Sequence, residues 1–224
     1  MTRTDIALGF EIVGTGETFS LDGHQTVVAG YTGRDEQAVR HHIEELAAIG
    51  VPQPPTVPMF YPMDSAAVST APWIEVAGSN TSGEAEPVLV RHRGNWYLGV
   101  GSDHTDRDLE TRDIAESKQA CPKPVSTQVV GVPDWEGLDW DAIRMASRVD
   151  GKAYQEGALS GLRRPENLLT LMVERGVDEG RDLVCFAGTL PLIDGKFVAG
   201  TVWELTLTLP DGRDISHTYE ARRI

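Results

Sequence analysis

The protein has 224 residues, with 34 Asp and Glu against 20 Lys and Arg, a formal charge of −14 at pH 7. That balance argues against a nucleic-acid binder, which needs clustered Lys and Arg to neutralise phosphates. Hydrophobic residues make up 40% and charged residues 24%, so the acidity lies on a folding sequence rather than a disordered one, and the length suits one ordinary domain with a real core.

Met1–Phe10 lacks a basic start followed by an apolar run, and no stretch approaches the roughly 18 apolar residues of a membrane helix, so neither export nor a membrane is expected. Cys121 and Cys185 are too few for a disulfide framework and lack a C-x-x-C partner, which points to buried thiols in a reducing cytoplasm. Along the chain, Ile6–Val13 and Thr26–Tyr31 have strand character, punctuated by Gly14, Gly16 and Asp22-Gly23. Asp35–Ile49 is the clearest helix, with Ala38, Val39, Ile43, Leu46 and Ala47 at spacings near three and four and a stop at Gly50 and Pro52. Prolines then force an extended segment over Val51–Met63, neither helix nor central strand.

Trp73–Ala77, Glu86–His92 and Trp96–Val100 read as strands, the last two joined as a hairpin through Arg93-Gly94-Asn95. Asp139–Gly157 and Pro165–Arg175 are predicted helices, the second ended by Gly176. Asp182–Ala187, Thr201–Leu209 and Ile215–Ala221 return to strands, with Pro210-Asp211-Gly212 as the turn between the last two. No repeat or linker divides the chain. The expectation is one mainly β domain with peripheral helices, an α+β fold.

Three carboxylates stand out by spacing. In Gly83-Glu84-Ala85-Glu86, entering a strand, side chains two apart share a face about 7 Å apart. Such a pair repels unless something positive lies between, although E-x-E alone is equally the pattern of a solvated strand face. If Asp103 ends the paired strand, it completes an all-carboxylate site whose hard oxygen donors suit Mg²⁺ or Mn²⁺.

The ordered set Glu84-x-Glu86, Asp103-His104-Thr105-Asp106-Arg107-Asp108, Lys118, Gly188-Thr189 and Glu204 resembles the fumarylacetoacetate hydrolase superfamily. The family's D-x-x-x-R-D segment is matched residue for residue by Asp103, Arg107 and Asp108, and its late G-T turn by Gly188-Thr189. A further element is Gly33-Arg34 followed by His41-His42-Ile43-Glu44-Glu45, where the family's carbon–carbon hydrolases place a His–Glu pair three residues apart. Spacing of three fits His41 with Glu44 as well as His42 with Glu45. The second is preferred, because Ile43 and Leu46 should turn into the core and leave His42 at the pocket edge. A carboxylate beside imidazole suits a general base, while the same segment read alone is a charged helix face. Two departures stand out: only 17 residues separate Glu86 from Asp103, the usual helical insertion giving way to the Arg93–Asn95 turn, and Pro87 follows the E-x-E directly.

The resemblance implies a compact β-roll of mixed sheets, with strands, helix and Pro-rich segment over 1–75 and the catalytic core over 76–224. It implies Glu84, Glu86 and Asp103 as ligands of Mg²⁺ or Mn²⁺, whose place Ca²⁺ can take in crystals. It implies catalytic roles for His42, Glu45, Lys118 and Glu204, and substrate binding by Gly188 and Thr189, with Arg34, His104 and Arg107 as further candidates. The implied activity is hydrolysis of a carbon–carbon bond in a small, anionic 2-oxo or 1,3-dioxo carboxylic acid by a homodimer. A decarboxylase, dehydratase, hydratase or tautomerase using the same site is the first alternative, and a non-catalytic small-molecule-binding protein the second.

Overall fold

The computed structural model describes residues 7–48 and 53–224, without the side chains of His42, Glu45 and Leu46. Strands β1 (Leu8–Ile12) and β2 (Thr18–Leu21) form an opening hairpin, followed by β3 (Gln25–Gly30) and helix α1 (Glu36–Ala48). Next come β4 (Met59–Met63), β5 (Val68–Ser69), β6 (Trp73–Val76), β7 (Thr81–Ser82), β8 (Ala85–His92) and β9 (Asn95–Ser102). A short excursion follows through β10 (Thr105–Asp106), α2 (Arg107–Glu110), α3 (Ile114–Gln119) and β11 (Lys123–Pro124). The chain closes with β12 (Gln128–Val132), β13 (Arg144–Val149), β14 (Lys152–Ala158), α4 (Pro165–Glu174), β15 (Leu183–Phe186), β16 (Val202–Thr208) and β17 (Asp214–Arg223).

A mixed eight-stranded sheet has the order β2-β1-β12-β9-β8-β15-β3-β4, and a five-stranded sheet the order β14-β13-β16-β17-β6. The middle strands of the larger sheet are buried on both faces, which explains their unbroken apolar runs. Leu89, Leu98 and Cys185 face one core together with Trp203, Leu205 and Leu207 of the smaller sheet. Val88, Val90, Val184 and Phe186 face a second core on the other side, with Tyr61 and Val68. Pro62 sits in β4 at the sheet edge, where its missing N–H costs no ladder bond. Among the described residues no helix is long and apolar enough to cross a membrane.

The β8–β9 hairpin forms where expected. Arg93 (φ 49°) and Gly94 (φ 81°) make its tight turn, placing Ala85 opposite Ser102 and Glu86 opposite Gly101. The helix predicted over Asp139–Gly157 is absent. That stretch is instead a single helical turn at 140–142 and the β13–β14 hairpin, turning at Asp150 (φ 49°) and Gly151 (φ 78°). Met145, Ser147 and Val149 are buried at period two, and an Asp-Gly pair is a hairpin turn signal, so the strand pattern outweighed helix propensity.

Strand β16 alternates, with Trp203, Leu205 and Leu207 turned to the core between the sheets and Glu204 on the opposite, outer face. Leu205→Ala should therefore cost about 3 kcal/mol in urea unfolding, whereas Glu204→Ala should stay within about 0.5 kcal/mol.

Candidate active site

The hairpin brings the two acidic segments together. The Asp103 backbone N–H donates to the Glu84 carbonyl at 3.0 Å, so both lie at the open end of β8 and β9. Asp103, only 1% exposed, would be costly as a lone carboxylate. Two lysines compensate. Lys118, from the last turn of α3, donates to Oδ2, and Lys123, at the start of β11, lies 3.1 Å from Oδ1. Burial pushes the Asp103 pKa up, but the two ammonium groups outweigh it and hold it well below the usual carboxylate range. For Lys118, burial acts to lower the pKa, and the charges of Asp103, Glu84 and Glu86 together raise it. Lys118 is thus paired with Asp103 and feels the charges of Glu84 and Glu86 as well.

Glu86 is 3% exposed and its Oε2 accepts the Gly188 N–H at 2.8 Å. Burial, reinforced by the nearby Asp103 charge, raises its pKa well above the carboxylate range against the pull of Lys118. Glu84, nearer the surface, accepts from Arg107 at 3.0 Å. Among the described residues no three His, Cys, Asp or Glu side chains are spaced to hold a metal ion as they stand.

Several residues expected to meet substrate are occupied internally. Arg107 spends its guanidinium on Ser82, Glu84 and Glu110, so it clamps the site rather than offering a free fork. Gly188 serves Glu86, and the Thr189 hydroxyl donates to the Ala85 carbonyl at 2.9 Å. Gly188 has φ 103°, and a Cβ there would lie 1.6 Å from Thr32 Oγ1, so no other residue fits. Arg34 pairs with Asp141 at 2.6 Å and donates to the Leu162 carbonyl, away from the carboxylates. Glu204, on the outer face of β16, is not brought to them. His41 and Glu44 are exposed on α1, and the side chains of His42 and Glu45 lie outside the described residues.

The sequence reading passed over four other residues. Lys123, five positions after Lys118, is fully buried and also donates to the His104 carbonyl. Gln155 accepts from Ala85 N–H (2.8 Å) and Ser147 (2.9 Å) and donates to Thr189 (2.7 Å) and the Leu190 carbonyl (2.8 Å), tying the Gly188-Thr189 turn to the start of β8. Read as part of a helix over Asp139–Gly157, Gln155 carries no signal of these contacts. Tyr31 (φ 57°) and Tyr61 stand near Lys118, whose ammonium lies 5.6 Å from the Tyr61 ring centre. Burial, aided by Tyr31, pushes the Tyr61 phenol up to about 12, so both phenols remain protonated donors at neutral pH.

His104 is fully buried, with Nδ1 2.9 Å from the Tyr219 hydroxyl and Nε2 3.0 Å from Thr81 Oγ1. Tyr219 gives its proton to Ser102, so His104 donates from Nδ1 and accepts at Nε2 as a neutral ring. Burial, with the Lys123 and Arg107 charges, lowers its pKa to about 3. His104 is a structural hinge between the sheets, stacked edge-on against Trp203, rather than a substrate contact.

The unfolded chain protonates this residue near pH 6.5. Stability is therefore full above about pH 6.5 and falls toward acid by about 1.4 kcal/mol per pH unit from this group. His104→Asn should flatten the urea-unfolding curve between about pH 6.5 and 4.5. Glu86 titrates with the opposite sign in both proteins, so the difference between the two curves reports His104.

Comparison with solved structures finds the same architecture. A fumarylpyruvate hydrolase from Pseudomonas aeruginosa, solved with Mn²⁺ and pyruvate, aligns at TM-score 0.63 and 15% identity over 99% of this chain and 98% of that one. A provisionally assigned fumarylacetoacetate isomerase/hydrolase from Oleispira antarctica aligns at 0.66 and 17% over 96% and 99%. A 5-carboxymethyl-2-hydroxymuconate delta-isomerase from Mycobacterium smegmatis aligns at 0.61 and 16% over 94% and 86%. The mainly β, mixed-sheet fold expected from the motifs is thus that of the fumarylacetoacetate hydrolase superfamily. No curated protein matches the sequence. A family model described as "Protein of unknown function (DUF2848)" matches residues 29–219, and the chain belongs to that family.

Proposed function

We propose that the protein is a divalent-cation-dependent enzyme that hydrolyses a carbon–carbon bond in a small 2-oxo or 1,3-dioxo carboxylic acid. The observation that carries this reading is the placement of Glu84, Glu86 and Asp103 at the shared end of β8 and β9, with Lys118 bonded to Asp103 and Glu86 buried without an ion pair among the described residues. The donor chemistry is that of Mg²⁺ or Mn²⁺, all-carboxylate and hard, and the three side chains would draw together to bind, since among the described residues no three are spaced for an ion as they stand. These three residues would hold the ion, Lys118 giving up its place on Asp103 while Lys123 keeps the other oxygen neutralised. When bound, such an ion supplies Lewis acidity toward an oxo acid.

The chain's own groups do the rest. Lys118, released from Asp103, meets negative charge that develops on the substrate oxygen as the bond breaks. Arg107 aims Glu84 through its 3.0 Å bond, and the Gly188 N–H aims Glu86. Tyr31 and Tyr61 offer phenol donors to the substrate's acid group. His42 with Glu45 would activate water for hydrolysis. The solved Pseudomonas relative, which carries Mn²⁺ and pyruvate, supports an oxo-acid substrate class.

A second reading, a lyase or isomerase on a 2-oxo acid, is favoured by the positions of the alternative water-activating groups. His41 and Glu44 are exposed, and Glu204 lies on the outer face of its sheet. Incubating the Mn²⁺-loaded protein with acylpyruvates in D₂O separates the two. Release of two acids marks the hydrolase; deuterium incorporation beside the oxo group without cleavage marks the other class.

Calorimetric titration of chelator-treated protein should show one Mn²⁺ site per chain and a higher Tm with metal. Absence of binding up to millimolar metal would sink the reading. Glu86→Gln should abolish that binding and turnover, while leaving the metal-free Tm at least as high as in the wild type, because a buried, poorly compensated carboxylate is removed.

A further inference from the structure

The irregular segment between β15 and β16 carries three exposed apolar side chains, Ile193, Phe197 and Val198. Its start is fixed by the Ile193 N–H on the Tyr154 carbonyl (2.9 Å), and its end by the Asp150 carboxylate on the Thr201 and Val202 N–H groups (3.1 and 2.8 Å). Between these anchors, Phe197 is 47% exposed, yet its ring lies 3.6 Å from the Arg107 guanidinium carbon. Four of the five N–H groups on the edge of that guanidinium are used, by Ser82, Glu110 and Glu84, and the Phe197 ring lies over its carbon.

We infer that Phe197 is a positioning residue: by stacking on Arg107 it fixes the Arg107–Glu84 pair and so sets the aim of Glu84 in the carboxylate cluster. A half-exposed ring has little to gain from burial at that spot, so its place is explained by the cation beneath it. The ring excludes water from one face of an ion pair that is otherwise near the surface, and a drier pair is a stronger and stiffer one. A ligand carboxylate held loosely must be ordered when the ion binds, which lowers affinity. The consequence for metal affinity rests on reading Glu84 as a cation ligand; the stacking and its coupling to Glu84 do not.

The test has two arms. In the metal-free protein, Phe197→Ala should lower Tm by about 3 °C, and in a Glu84→Gln background that loss should shrink by at least half. Phenylglyoxal, followed by peptide mapping, should modify Arg107 faster in Phe197→Ala, and Phe197→Trp should restore both wild-type values. Equal Tm losses in the two backgrounds, or an unchanged modification rate, would overturn the inference. In the second arm, calorimetry with Mn²⁺ should show about three- to tenfold weaker binding for Phe197→Ala and recovery with Phe197→Trp, on the scale of a weakened cation–π contact. Unchanged affinity in a protein that binds Mn²⁺ would also overturn it. A wild type that binds no Mn²⁺ while the first arm couples would reject the cation-site reading and leave the positioning role supported.

Discussion

Asp103 is a carboxylate withdrawn from water, and the protein keeps it ionised by placing two lysine ammonium groups on its two oxygens. Removing one partner of such a buried pair typically costs about 3–5 kcal/mol, so the positions of the partners are strongly constrained. The constraint shapes the route of the chain. After β9 delivers Asp103, the path through β10, α2 and α3 returns with Lys118 at the end of α3 and Lys123 at the start of β11. The helical excursion is a loop closed by charge, with Asp106 capping α2 and Asp113 capping α3 to satisfy their first N–H groups.

The same economy governs the rest of the cluster. A turn with convergent N–H and hydroxyl groups invites an external anion, but here the anion is the protein's own: Glu86 fills the Gly188 N–H. Gln155 meets four polar groups at once, the Thr189 hydroxyl among them, and so holds the Gly188-Thr189 turn in place. Arg107 likewise serves Glu84 and Glu110. Groups that sequence alone suggests for substrate binding are thus bonded to the protein's own carboxylates, and the phenols of Tyr31 and Tyr61 stand near Lys118. The formal charge of −14 counts the whole chain, whereas around the cluster Lys118, Lys123 and Arg107 supply positive charge.

Local pattern decided a good deal of this by itself. The period-three-and-four run after Asp35 marks α1, and the stop at Gly176 marks the end of α4, because helix periodicity and its stop signals are written in consecutive residues. The Arg93-Gly94 turn gave the β8–β9 hairpin, and with it the approach of Glu84 and Glu86 to Asp103, because a two-residue turn sets register without reference to anything distant. The motif order further indicated the superfamily fold. The strands over 144–158 are hidden from local pattern, because Ser147 and Gln155 stand at buried positions as polar residues that bond to each other.

Tertiary structure alone decided which polar groups are spent on one another. That Gly188 serves Glu86, that Lys123 joins Lys118 on Asp103, that His104 is a neutral hinge and that Phe197 covers Arg107 are contacts between residues from 15 to over 100 positions apart. Spacing along a chain fixes neighbours within a turn or a strand pair. It carries no term for the desolvation of a carboxylate, which depends on everything that folds around it and selects its partners only once the sheets have closed.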